Sequence, residues 1–164
     1  MRRLVAAALT VGAILSAALT SGAAEDCFRS LTNQERRAVG RAELRQDGRL
    51  DVLAEMQSAA MQARGTIFHN RDLAAQAPDF AAVGENVGMG PSCEAIHDAF
   101  MASPGHRANI LDGDYTHLGV GVKIDPDGTW YVTEVFFRPA RERTPTPSPP
   151  AARRTPRPRC TCPS

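Results

Sequence analysis

The hydrophobic pattern of this chain changes period once. Up to about residue 103 the apolar positions recur at helical spacing; from residue 117 they alternate. In SLTNQERRAV, Thr32 and Glu35 have capping-box spacing with Leu31 just before them, which predicts a helix starting at Thr32. Gly40 is its natural stop. LDVLAEMQSAAMQARG predicts a second helix, ended by Gly65. Val52, Met56, Ala59, Ala60 and Ala63 share one of its faces, the expected buried one, and the Met56 and Met61 pair reads as core filling. TIFHNRDLAAQAPDFAAV holds no period and is expected to be irregular or weakly helical. Ser92 predicts the N-cap of a third helix running to about Ser103, with Ile96, Ala99 and Phe100 on its apolar side. HRANIL follows as a short helical turn. Then Leu118, Val120, Val122 and Ile124 alternate with small or polar residues, Asp125-Pro126-Asp127-Gly128 is turn chemistry, and TWYVTEVFF is rich in β-branched and aromatic residues. This predicts a β-hairpin, with Trp130, Val132, Glu134 and Phe136 on one strand face. Helices first and a hairpin last indicate an α+β domain.

The two ends differ from this domain. Arg2 and Arg3 precede an apolar run from Leu4 to Leu19, then small residues. Ser21 with Ala23, or Gly22 with Ala24, fit a signal-peptidase site, so residues 1–24 are expected to be a signal peptide and the protein to be secreted. The run is short for a membrane span of about 20 residues, and none is expected in the mature chain. Residues 139–164 are proline-rich with almost no large apolar side chains and are expected to be disordered, leaving residues 25–138 as the domain.

Charge follows the same division. Residues 25–137 carry 10 basic and 17 acidic side chains, whereas residues 138–164 carry seven arginines against Glu142 alone. An acidic domain argues against nucleic acid as a partner; the basic tail suits an anionic cell-surface polymer, or serves as a solvated linker. Four cysteines in an exported chain favour disulfides, and four allow three pairings. Cys27 with Cys93 would close a loop of about 66 residues, on the order of 4 kcal/mol in the chain-entropy account. Cys160 and Cys162 lie together in the tail.

The order NQER, FHN, GEN, SPGHRANIL, YTHLGVGV and WYVTEVF resembles the CAP superfamily, the SCP-like extracellular proteins, in its bacterial branch. The resemblance covers nearly all of residues 28–138. It implies an α-β-α sandwich, with helices on a small antiparallel sheet and a central cleft lined by two histidines and two acids. His69 of FHN, Glu85 of GEN and His106 of SPGHR match three of those four. The second acid falls at about Ser103 and is absent. Glu134 is a possible substitute; the bacterial pattern often has glutamine there, which favours a hydrogen-bonding role.

Two imidazoles and a carboxylate suit a zinc-type ion, with calcium as the other candidate cofactor. The alternative is structural: Glu85 accepts hydrogen bonds and pins segments together, with Asn86 fixing its loop likewise. The resemblance implies a non-enzymatic binding module for a divalent cation, a lipid or other small apolar ligand, or a surface partner. A metal-dependent, protease-like hydrolase using His69, Glu85 and His106 is the alternative, and an envelope-associated structural protein is a third reading. Ser92 and Ser103 read as helix-end residues, not nucleophiles. His97 is expected to be exposed beside Asp98; His117 is a strand residue that could approach the cleft.

Overall fold

The computed structural model describes residues 21–140 except Pro78. Most of the expected leader and tail, Cys160 and Cys162 among them, lie outside these residues. The elements run α1 (Ser21–Ala38), β1 (Arg45–Gln46), α2 (Gly48–Arg64), α3 (Leu73–Gln76), β2 (Phe80–Gly90), α4 (Cys93–Ala102), α5 (Pro104–Leu111), β3 (His117–Ile124) and β4 (Trp130–Pro139). The sheet order is β1-β3-β4-β2. β1 pairs parallel with β3, and the other pairings are antiparallel. The expected α+β architecture is thus present, as three layers around one sheet.

The β3–β4 hairpin is where the alternation placed it. Its central strands are buried on both faces, which the pleat divides between two cores. Leu118, Val120, Val122, Trp130, Val132 and Phe136 meet Phe28 of α1, Ile96 and Phe100 of α4 and Ile110 of α5. Val135 and Phe137 face the other way, onto Leu50 and Ala54 of α2. Cys27 and Cys93 form a disulfide that ties α1 to α4, so one of the three possible pairings is realised.

Three expectations about helices fail. Helix α1 starts upstream of the expected cap, spanning Ser21–Ala38 of the described residues, and Thr32 is buried within it, where its hydroxyl donates to Glu134 Oε1 at 2.8 Å. The capping-box spacing is local, and a partner 102 residues away takes the hydroxyl instead. Helix α2 turns a different face inward. Val52 and Met56 are 58% and 61% exposed, while Leu50, Ala54, Gln57, Ser58 and Met61 are buried. The cause lies on β3. A Cβ at Gly119 would sit 2.2 Å from the Leu50 carbonyl carbon, and one at Gly121 would sit 2.2 Å from the Glu55 amide nitrogen. The helix backbone therefore lies directly on the strand, and the seam takes small residues. Ser58 seals it by donating to the Gly121 carbonyl at 2.8 Å. His97, expected at the surface, is 3% exposed, with both ring nitrogens buried and unpartnered among the described residues. It lies one turn after Cys93, on the side of α4 that carries Ile96 and Phe100 into the core. Burial pushes its pKa below the ordinary value, against the opposing pull of Glu35 and Asp98.

Residues 66–90 hold a short helix, α3, in the stretch expected to be irregular or weakly helical, and an edge strand, β2, that the pattern did not disclose. Glycines interrupt the alternation of β2. They stand on the face opposite Val83, Glu85 and Val87, where a side chain at Gly88 would run into Phe100 and Ile96.

Candidate functional site

The FHN and GEN motifs meet at the β2 edge. Glu85 and Asn86 are adjacent on a strand, so their side chains leave opposite faces of the sheet. Each fastens a different neighbouring segment to β2, and the segment held by Glu85 lines a cleft. On the α2 side, Glu85 Oε1 accepts from the Asn70 amide at 2.9 Å and contacts His69 Nδ1 at 2.8 Å. The Glu85 side chain is 6% exposed and that of His69 is 61% exposed. Glu85 Oε2 is buried with no partner among the described residues. On the other face, Asn86 Nδ2 donates to the His106 carbonyl at 3.2 Å and to Glu134 Oε2 at 3.1 Å. Asn86 Oδ1 accepts from Asn109 at 2.9 Å. Asn86 therefore holds α5, and with it His106, to the strand.

The structure joins His69 to Glu85 directly and His106 to them only through neighbours. The His106 ring packs on Phe100, with centroids 4.8 Å apart. Partial burial and then the nearby His69 hold its pKa below the ordinary value. A zinc site needs three or four protein ligands. Among the described residues no three His, Cys, Asp or Glu side chains come together as a ligand set. The described side chains thus do not form a three-ligand zinc set.

Glu134 is fully buried and belongs to the fastening network, holding Thr32 and Asn86 at once. Burial raises its pKa from 4.5 to about 7, partly offset by those two donors. The folded chain thus binds this proton more tightly than the unfolded chain. The stabilisation is full below pH 4.5 and is lost as pH rises toward 7, on the order of 3 kcal/mol in all. Glu134→Gln removes the ionisation and keeps the shape. Its carbonyl can accept from Asn86 and its amide can donate to the Thr32 hydroxyl. The variant is expected to melt several degrees higher than the parent at pH 8 and to show no gain at pH 4, which thermal unfolding at both pH values checks.

His117 does not reach this cleft. It lies by the opposite edge strand in a separate pocket with Arg45, Asp47 and Arg49, its ring 5.3 Å from that of Phe137. The residue that sequence reasoning missed is Arg36. It is 1% exposed, and its guanidinium donates to the carbonyls of Ala42, Ile110, Asp112 and Tyr115 at 2.8–3.3 Å. It clamps the chain that leaves α5. Its only sequence signal was its place in the NQER motif.

The profile of the cysteine-rich secretory protein family, CAP, matches residues 29–136. The chain belongs to the CAP family. Its match to the Bacillus subtilis protein YkwD is 31% identical over 109 residues, 61% of this chain and 42% of YkwD. This CAP chain thus spans less than half the length of that relative. Similar CAP folds include an extracellular SCP-domain protein from Bacillus anthracis, with TM-score 0.64, 24% identity, and coverage of 72% of this chain and 41% of that one. A cysteine-rich secretory protein from Staphylococcus aureus superposes with TM-score 0.63 and 19% identity, over 73% of this chain and 40% of that one. An outer surface protein from Borrelia burgdorferi gives TM-score 0.64 and 16% identity, over 70% and 91%. These three likenesses concern the fold.

Proposed function

We propose that this CAP domain is a secreted, non-catalytic binding module whose motif residues build a cleft and do not react in it. The observation that carries this reading is that Glu85 Oε1 and the Asn86 side chain fasten neighbouring segments, although Glu85 Oε2 has no partner among the described residues. Glu85 holds the Asn70 amide and His69, and Asn86 holds the His106 carbonyl and Asn109. Candidate nucleophiles are spent too. Ser92 Oγ caps α4 by accepting from the Ala95 amide at 3.2 Å, and Cys27 and Cys93 are disulfide-bonded. Hydrolysis needs an activated nucleophile or a metal-bound water, and this arrangement of side chains favours neither. The cleft beside His69 has a volume of about 690 Å³, within the usual range for small-molecule sites. Six of the seven residues that line it carry polar or charged groups, with Phe68 the exception, which favours a ligand with polar groups over a bare lipid chain.

Secretion is proposed from the N-terminal segment and from the extracellular relatives. Among the described residues no helix is long and apolar enough to cross a membrane. Ala24 is 1% exposed and packs in the same core as Phe28. That favours cleavage after Ala23, which keeps Ala24, over cleavage after Ala24. N-terminal sequencing of the exported protein is expected to begin at Ala24; a start at Glu25 contradicts this.

The catalytic alternative is tested with His106→Ala. Incubation with casein and with nitrophenyl esters is expected to give the same background release for parent and variant. Turnover lost in His106→Ala at unchanged melting temperature would overturn the binding reading.

A further inference from the structure

The cleft beside His69 holds two arginines that no carboxylate engages among the described residues. Elsewhere among the described residues Arg29, Arg37, Arg49, Lys123 and Arg138 each pair with an acid, whereas Arg36 is spent on main-chain carbonyls and Arg41, Arg45 and Arg107 share no ion pair with a carboxylate. Arg64 instead lies over the Phe68 ring, with its guanidinium carbon 4.6 Å from the centroid. Arg71 lines the same cleft. Stacking uses the flat face of a guanidinium and leaves its fork of N–H donors free at the edge. That fork matches the two oxygens of a carboxylate or phosphate.

The walls around it are fixed. Gln57 donates to the Phe68 carbonyl, which holds the ring beneath Arg64. Asn70 is held through both its backbone amide and its side chain, by Glu85 and Gln76. Arg64 is thus placed by its ring contact, which lowers what its fork loses in freedom when a ligand arrives, whereas Arg71 is an exposed side chain that would order on binding. Asp72 is the one acid in the lining. The surrounding domain is acidic, so its long-range field does not draw anions, and selection falls to these two local donors.

We infer that this cleft is an oxyanion site, taking the carboxylate or phosphate group of a small molecule on the Arg64 fork with Arg71 as second donor. The inference rests on the binding reading and names the ligand chemistry of that cleft; failure of oxyanion binding alone leaves the non-catalytic cleft standing, because that reading is tested separately by turnover in His106→Ala.

The test is calorimetric titration of the full chain with citrate and, separately, with inorganic phosphate. Arg64→Met keeps an apolar stem over Phe68, Arg71→Ala removes the second donor, and Arg107→Ala, on exposed α5 surface, is the control for net charge. Saturable one-to-one binding of at least one probe is expected, weakened roughly tenfold or more by each cleft substitution and unchanged in the control. Citrate alone identifies a carboxylate ligand, phosphate alone a phosphate ligand, and both together a site that reads the shared oxyanion. Binding of neither probe overturns the inference, as does equal weakening by Arg107→Ala. If Arg64→Met fails to fold, Arg71→Ala decides between these outcomes.

Discussion

Gly121→Ala is expected to lower stability by about 3–5 kcal/mol, near the top of what a single methyl group does. The added carbon would lie 2.2 Å from the Glu55 amide nitrogen and 2.3 Å from the Ala54 carbonyl carbon. Both are backbone atoms of α2, so no rotamer change relieves the contact. The helix must lift from the sheet. Lifting it breaks the bonds from Ser58 to the Gly121 carbonyl and to Thr133, and opens the core of Leu50, Ala54, Val135 and Phe137. Urea unfolding checks the number. A loss below 1 kcal/mol would mean that α2 is not seated on β3 as described.

Arg36→Met is expected to cost a similar roughly 3–5 kcal/mol, for a different reason. Methionine fills most of the space but donates nothing. Four carbonyls then lose a donor, three of them on the segment from Ile110 to Tyr115. Arg36→Lys is expected to recover only a part, because an ammonium cannot fork across acceptors on both sides. Thermal unfolding should rank the parent highest, Arg36→Lys next and Arg36→Met lowest. Amide exchange should quicken first between residues 110 and 116, ahead of the hairpin.

Where polarity and period agree with burial, the chain was legible. The hairpin satisfies both of its faces with β-branched, aromatic or small residues, and α4 carries its cap at Ser92 and its apolar side at Ile96 and Phe100. The face of α2 was not legible because the contact is decided on another strand. Gly119 and Gly121 bring the helix backbone so close that Ala54 and Ser58 suffice to fill the seam, and the larger Val52 and Met56 stay outside. Thr32 and Arg36 were misread or missed for a related reason. Their partners, Glu134 and the carbonyls after α5, are remote in sequence, and local pattern carries no trace of them. His97 turned inward with no polar partner to announce it.

At the site, motif resemblance named residues that meet around β2 but not their division between its two faces. The pleat puts Glu85 with His69 on one face and Asn86 with the His106 main chain on the other. The GEN tripeptide thus works as a two-sided fastener. This accounts for an acid and an amide side by side, since each face of the strand has its own segment to hold. Glu134 supports the second face by accepting from Asn86.

The central claim is that Glu85 serves to fix the cleft wall. It is tested most directly by amide hydrogen exchange in Glu85→Ala, read at Asn70. The account predicts that Asn70 loses about tenfold or more of its protection when the acceptor at 2.9 Å is removed, while amides in the β3–β4 hairpin change much less. Unchanged protection at Asn70 would contradict it and leave the Glu85 carboxylate free for a ligand or for chemistry.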